Sequence, residues 1–167
     1  KKKKKFDNSI LLHSSEGISY LPKEDLDVKN KFINSYKIMV SKLTSEHAGE
    51  PDRNGMFKIL SRTEIINPNE ACTDSYLIIG SFKNIIEAKA LLSYLQSKFL
   101  RFLLLQAVTS INLSKDKFDF IPLQDFTENS DIDWTKSIPE IDQQLYKKYN
   151  LNEEETEFIE SMIKSMV

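Results

Sequence analysis

One cysteine, two histidines and four glycines among 167 residues exclude several kinds of chemistry before any motif is read. Cys72 has no partner for an internal disulfide, which points to a reducing, cytoplasmic setting. No His or Asn can be assigned beside it, so a small buried thiol is expected rather than a nucleophile. The histidines, His13 and His47, are 34 positions apart and with one cysteine do not compose a zinc site. Four scattered glycines offer neither a cofactor-cradling loop nor a flexible linker. The densest apolar window, Leu91 to Leu105, is interrupted by Gln96, Lys98 and Arg101, whereas a membrane-spanning helix needs about 20 largely apolar residues. No membrane partner is expected. Lys1 to Lys5 lead into a short strand-like run rather than a secretory segment with a cleavage site.

What is present is ordinary for a globular protein, at 40% hydrophobic and 29% charged residues. The length fits one domain, or a domain with a helical appendage, and suffices for a real core. The net charge of −2 conceals an asymmetry: Lys1 to Arg62 carries +5, Thr63 to Phe118 carries +1, and Asp119 to Val167 carries −8. Phosphate backbones need a positive surface, so a nucleic-acid face belongs to the first two thirds; the acidic tail suits a basic protein partner. The +5 is contributed by Lys1 to Lys5, a run that serves equally as a binding arm or a fragment boundary.

Periodicity and caps outline the elements. Ser9 to His13 and Gly17 to Leu21, around Ser-Ser-Glu-Gly, read as a β-hairpin. Val28 to Asn34 is one helical turn or two, and Tyr36 to Leu43 reads as a strand. Thr44 to Gly55 is the longest polar loop, and Met56 to Arg62 and Thr73 to Phe82 are the next expected strands, with Ile65-Ile66 a possible short one between. Asn84 with Glu87, Ser137 with Glu140 and Asn152 with Glu155 each have the spacing of a capping box. The first opens an expected long buried helix from about Ile85 to Gln106. The others open short amphipathic helices, with Ile138, Ile141, Leu145 and Tyr149 on one apolar face and Phe158, Ile159, Met162 and Ile163 on the other. Asn150 between them marks a stop and hence a helical hairpin. The predicted fold is α+β: short, mostly antiparallel strands packed on one long buried helix, with a C-terminal helical hairpin.

Four segments carry a resemblance: SKLTSEHAGEPDRNGMFKIL, EACTDSYLIIGSF, EAKALLSYLQSKFLRFLLLQ, and the closing string from Ile121 to Met166. In order and approximate spacing they resemble the C-terminal target-recognition region of bacterial type II restriction-modification methylases, which join an N6-adenine DNA methyltransferase, often with an endonuclease, to a recognition region. The family's S-adenosylmethionine loop and Asn-Pro-Pro-aromatic motif have no counterpart here, since Asn67-Pro68-Asn69 lacks the second proline and the aromatic. The resemblance therefore implies a non-catalytic role, with S-adenosylmethionine and Mg²⁺ belonging to the parent enzyme. It implies double-stranded DNA and the methyltransferase domain of the same polypeptide as partners. It also implies a recognition domain over residues 1–126 and an acidic helical tail over 127–167 packed on it. A docking module of the same enzyme is the alternative function, and a Mg-dependent nuclease a more distant one.

His47, Arg53, Asn54, Lys58 and Arg62 follow one another along a polar loop and its flanking strand, with Lys42 on the strand before it. Arg and Asn make bidentate contacts to guanine and adenine edges. Lys115 and Lys117 after the long helix suit a phosphate contact. Each of these also fits a solvated loop or connector. Lys98 and Arg101, one helical turn apart, line a DNA-facing cleft, neutralise the acidic tail, or snorkel at the core edge. Pro51-Asp52 with Glu87-Ala88-Lys89 match the letters of a nuclease metal pattern, yet Glu87 is better explained as a capping residue. Trp134, alone among polar residues, is expected to anchor the tail on the body of the domain.

Overall fold

The computed structural model describes residues 6–26, 32–45 and 50–166. The fold is α+β, with two three-stranded sheets and four α-helices among the described residues. The hairpin forms as the turn residues suggest: β1 (Ser9–Ser14) and β2 (Gly17–Pro22) pair antiparallel, with Ser14 opposite Gly17. The other sheet has β3 (Tyr36–Ser41) at its centre, flanked antiparallel by β4 (Thr63–Ile66) and β6 (Tyr76–Phe82). Between them β5 (Glu70–Cys72), absent from the sequence expectation, crosses to the first sheet and pairs parallel with β1. Asn67-Pro68-Asn69 is the turn that makes this crossing. Glu70 closes it by accepting the backbone N–H and side-chain amide of Asn67 at 3.1 and 3.0 Å.

Strand alternation puts Ile38 and Val40 on one face of β3, where they join the helical core, and Lys37 and Met39 on the other. Lys37 is 2% exposed, its ammonium donating to the carbonyls of Ser35 and Asn67. Burial pulls it down to about 8, against the attraction of Glu70 on β5. The ladder slips between Tyr36 and Ile38, where Gly80 sits at φ 72°. A Cβ there would stand 2.5 Å from the Phe82 ring and 2.6 Å from Leu91, so glycine permits both the bulge and the close approach of the first helix.

The long helix of the sequence reading is two helices. α1 (Ile85–Gln96) starts at Asn84, whose side chain accepts the Glu87 N–H at 2.9 Å while Glu87 accepts the Asn84 amide, as the capping spacing predicts. It ends at Ser97, which has an extended backbone and simultaneously caps α2 (Lys98–Ala107), its hydroxyl accepting the Leu100 N–H at 3.1 Å. Neither proline nor glycine stands at this break. Its cause is tertiary: Asp142, 1% exposed on α3 (Ile138–Lys148), accepts the backbone N–H groups of Lys98 and Phe99 at 3.0 and 2.9 Å. A continuous helix would commit those groups to carbonyls one turn back.

Arg101 is wholly buried and does not snorkel. Its guanidinium donates to the carbonyl of Gln96 at 3.0 Å, of Ser97 at 3.2 Å, of Lys58 at 3.2 Å and of Lys164 at 2.7 Å. Lys98, by contrast, reaches Glu160 on α4 (Glu153–Met162) and so neutralises tail charge. The two cations one turn apart thus have different work. The expected hairpin of α3 and α4 is present, with Asn150 at φ 54° between them, and Glu140 and Glu155 accept the backbone N–H of Ser137 and Asn152. Ile141, Leu145, Ile159 and Ile163 join the same core as Ile38, Leu95 and Leu104, whereas Phe158 is 54% exposed and meets Phe102 edge-on. Trp134 donates to the Asp125 carbonyl at 2.8 Å and packs on Tyr94 and Phe126, with ring centroids 5.7 and 5.3 Å apart.

The expected strand over Met56 to Arg62 is instead irregular. Ile59 takes φ 69°, rare for a β-branched residue, and the Leu60 N–H donates back to the Lys58 carbonyl at 2.9 Å, closing a γ-turn. Only single bridges remain around it, Thr44 with Leu60 and Phe57 with Ile163.

Replacing Arg101 by lysine keeps the charge but not the fork, and each buried carbonyl left without a donor costs about 1–3 kcal/mol. Urea unfolding of Arg101→Lys should show a markedly lower midpoint; an unchanged midpoint would refute this role. Burial also pushes the Asp142 carboxyl up from 3.8 to about 6, against its two backbone donors. A raised folded value means that the protonated form favours folding, so this contribution is complete below 3.8 and is lost as pH rises to about 6. The amount is on the order of 2–3 kcal/mol. Relative to Asp142→Asn, the native chain should lose stability by about this amount as pH rises across that range, and a constant difference between the two would refute the assignment.

Candidate nucleic-acid interface

The basic and amide residues singled out from sequence fall into two groups. The first is the turn from Glu50 to Met56. Asp52 organises it, its Oδ1 accepting the N–H groups of Asn54 and Met56 at 2.9 and 3.0 Å, while Gly55 turns the chain at φ 77°. The other oxygen of Asp52 pairs with the Lys164 ammonium at 2.8 Å, joining the turn to the end of the chain. The backbone repeats the link: the Phe57 N–H donates to Met162 and the Lys164 N–H to Phe57, both at 2.8 Å. Lys164 and the turn's N–H groups hold the Asp52 carboxyl down at about 2. Arg53 and Asn54 are thereby displayed, both exposed, at the tip of a turn whose backbone is fixed. Lys58 is half-buried beneath it, its carbonyl held by Arg101.

The second group surrounds a cleft beside β6. Leu113 N–H donates to the Lys42 carbonyl at 2.6 Å and Thr44 N–H to Ile111 at 2.9 Å, which draws the segment after α2 against the end of β3. Lys42 and Lys115 consequently line one hollow of about 420 Å³ together with Thr73, Asp74 and Tyr76. Lys42 pairs with Asp74 at 2.6 Å, and Lys115 lies over the Phe32 ring at 5.9 Å. Arg62 joins through Tyr76, donating to its hydroxyl at 3.0 Å and lying over its ring at 5.6 Å, while a two-point pair with Glu64 at 2.9 and 2.8 Å fixes its orientation. Lys117 lies 3.4 Å from Asp116 in the one-turn segment Lys115–Phe118. His47 lies outside the described residues, as does the Lys1 to Lys5 run.

The sequence reading missed Phe32, Thr73 and Tyr76. Each stands in or beside an apolar run, where burial is the default expectation, and only the pairing of distant segments brings them to cations. Asp52 and Glu87, the acids of the nuclease-like pattern, serve a turn and a helix cap. Among the described residues no group of three or more His, Cys, Asp or Glu side chains is arranged to hold a metal ion. None of the described helices is long and apolar enough to cross a membrane. Comparison with protein-family models, with curated proteins and with solved structures gave no match to this chain.

Because Asp52 holds the tip together through its ionised form, Asp52→Ala should speed amide exchange at Asn54 and Met56 while leaving the protection of α1 intact. Acid should act likewise on the native chain. The folded value is depressed, so the stabilisation is present above 3.8 and fades as pH falls toward about 2. Equal exchange in variant and parent would show that Asp52 does not organise the turn.

Proposed function

We propose that this chain recognises a DNA target sequence for an adenine-specific type II restriction-modification enzyme and performs no chemistry itself. The observation that carries the reading is the Arg53–Asn54 pair, exposed at the tip of a turn whose backbone is tied by Asp52 and by Lys164. These are the two residue types that make bidentate contacts to guanine and adenine edges, and such a contact discriminates only if the side chain starts from a fixed backbone. Lys42, Arg62, Lys115 and Lys117 supply phosphate contacts, which position the protein without reading sequence. His47 and Lys58 belong to the same segment. The acidic tail is suited to the body of the protein rather than to DNA, since Asp142 receives the start of α2, Glu160 pairs with Lys98 and Asp131 with Lys148. S-adenosylmethionine and Mg²⁺ are assigned to the remainder of the enzyme, which acts in the cytoplasm.

The methyltransferase domain of the same polypeptide is the second partner in this reading. Its support is the exposure of Ile86, Leu123 and Phe158, at 72%, 91% and 54%, outside the segments that carry the proposed DNA contacts.

Mobility-shift titrations with duplexes selected from a randomised pool should show complexes at low salt that weaken steeply as salt rises. Arg53→Ala and Asn54→Ala should each relax the preference at one position, by about 1–3 kcal/mol. Lys42→Ala and Lys115→Ala should weaken all duplexes alike. Absence of any complex at low salt would sink the proposal.

A further inference from the structure

Two hollows meet along β6. One, of about 420 Å³, is lined by Lys42, Thr73 and Tyr76; the other, of about 410 Å³, by Ile79, Gly80 and Phe118. They share Phe32, Ile78 and Lys115, so they form one groove with a cationic, hydroxyl-bearing end and an apolar, aromatic end. Each half is within the size range of small-ligand sites.

Two features of the cationic end suit it to an anion. The Lys42–Asp74 pair is open to water, with Asp74 fully exposed at 102%, and exposed pairs of this kind contribute little. Lys42 can therefore exchange that carboxylate for another anion at small cost. Lys115 already lies over the Phe32 ring. At the other end the wall is apolar, formed by Ile78, Ile79, Phe118 and Phe32. An anion joined to a flat apolar group matches this polarity gradient.

We propose that the groove holds one unpaired nucleotide of DNA, its base against Phe32 and Phe118 and its phosphate between Lys42 and Lys115. The proposal rests on the reading of the chain as a DNA-binding protein and specifies what this part of it binds. A base stacked within a duplex presents only its edges, so the occupant is a nucleotide of a single strand or one displaced from the helix.

Fluorescence anisotropy with an end-labelled single-stranded oligonucleotide, and in parallel with its duplex, tests this directly. Single-stranded DNA should bind, a deoxynucleoside monophosphate should compete, and Phe32→Leu, which keeps the apolar bulk but removes the ring, should weaken single-strand binding about 5-fold or more. Cys72, the single cysteine, lines the groove and reports occupancy independently: the monophosphate should slow its alkylation in the native chain but not in Lys115→Ala. That readout also carries the test if Phe32→Leu does not fold. Duplex binding without single-strand binding would overturn the groove assignment while leaving target recognition standing. Single-strand binding indifferent to Phe32→Leu and without Cys72 protection would overturn it as well. Binding of neither form would overturn both proposals, and single-strand binding with the expected sensitivities but no duplex binding would sustain the groove and remove duplex recognition.

Discussion

Arg101 donates to carbonyls from three separate stretches of chain: the end of α1, the γ-turn at Lys58, and the segment after α4. Each stretch leaves backbone acceptors that no regular element satisfies. Carbonyls at a helix end lack intrahelical donors, a γ-turn interrupts the strand ladder, and the chain that has just left α4 forms an isolated bridge at Ile163 rather than a ladder. One fully buried fork of five N–H donors meets them together. Its charge is met by negative potential from the C-terminal end of α1 and from the carboxyl of Asp142. Removing the guanidinium would take a donor from all three stretches at once.

Asp142 is the complementary half of the same arrangement. It sits at the positive end of α2 while Arg101 sits at the negative end of α1, so the break at Ser97 is an exchange of two helix ends between two buried ions. The consequence reaches the tail. A segment bearing −8 would repel itself as an independent appendage. Here one carboxylate enters the core, Glu160 meets Lys98 and Tyr146, and Asp131 meets Lys148, while Trp134 and Gln124 attach the intervening chain to Tyr94. The apolar face of the hairpin then completes the core around Phe99, whose ring stacks on Tyr149 at 4.9 Å.

Local signals were readable and tertiary ones were not. All three capping pairs lie at helix starts, Asn150 does stop a helix, and the opening hairpin follows its turn residues, because each of these depends on neighbours within a few positions. The break at Ser97 depends on Asp142, 45 positions away in sequence, and nothing near Ser97 signals it. Ile59 reads as a strand residue by every propensity; its positive φ is imposed by its surroundings. The same division runs through the candidate site. Arg53 and Asn54 could be picked out because an Asp-Arg-Asn-Gly turn exposes its own tip. Tyr76 reaches Lys42 through the β3–β6 ladder and Lys115 through the pairing of residues 42–44 with 111–113, which pattern alone does not reveal.

The γ-turn connects these two kinds of feature. A β-branched residue at positive φ is costly and persists only where the surroundings over-determine it. Around Ile59 they do: the Lys58 carbonyl accepts from Leu60 and Arg101, and the Ile59 carbonyl accepts the Ser45 N–H at 3.0 Å. Ser45 and the Glu50 to Met56 turn are the described edges of the polar loop, so one edge of that loop is fastened through Ile59 to the most deeply buried ion of the core. The other is fastened through Asp52 and Phe57 to the chain after α4, whose Lys164 carbonyl is held by the same Arg101. Both anchorages of the loop thus converge on one guanidinium. Side chains carried on the Glu50 to Met56 turn, Arg53 and Asn54 among them, stand on a backbone that has little conformational entropy left to lose at this anchorage.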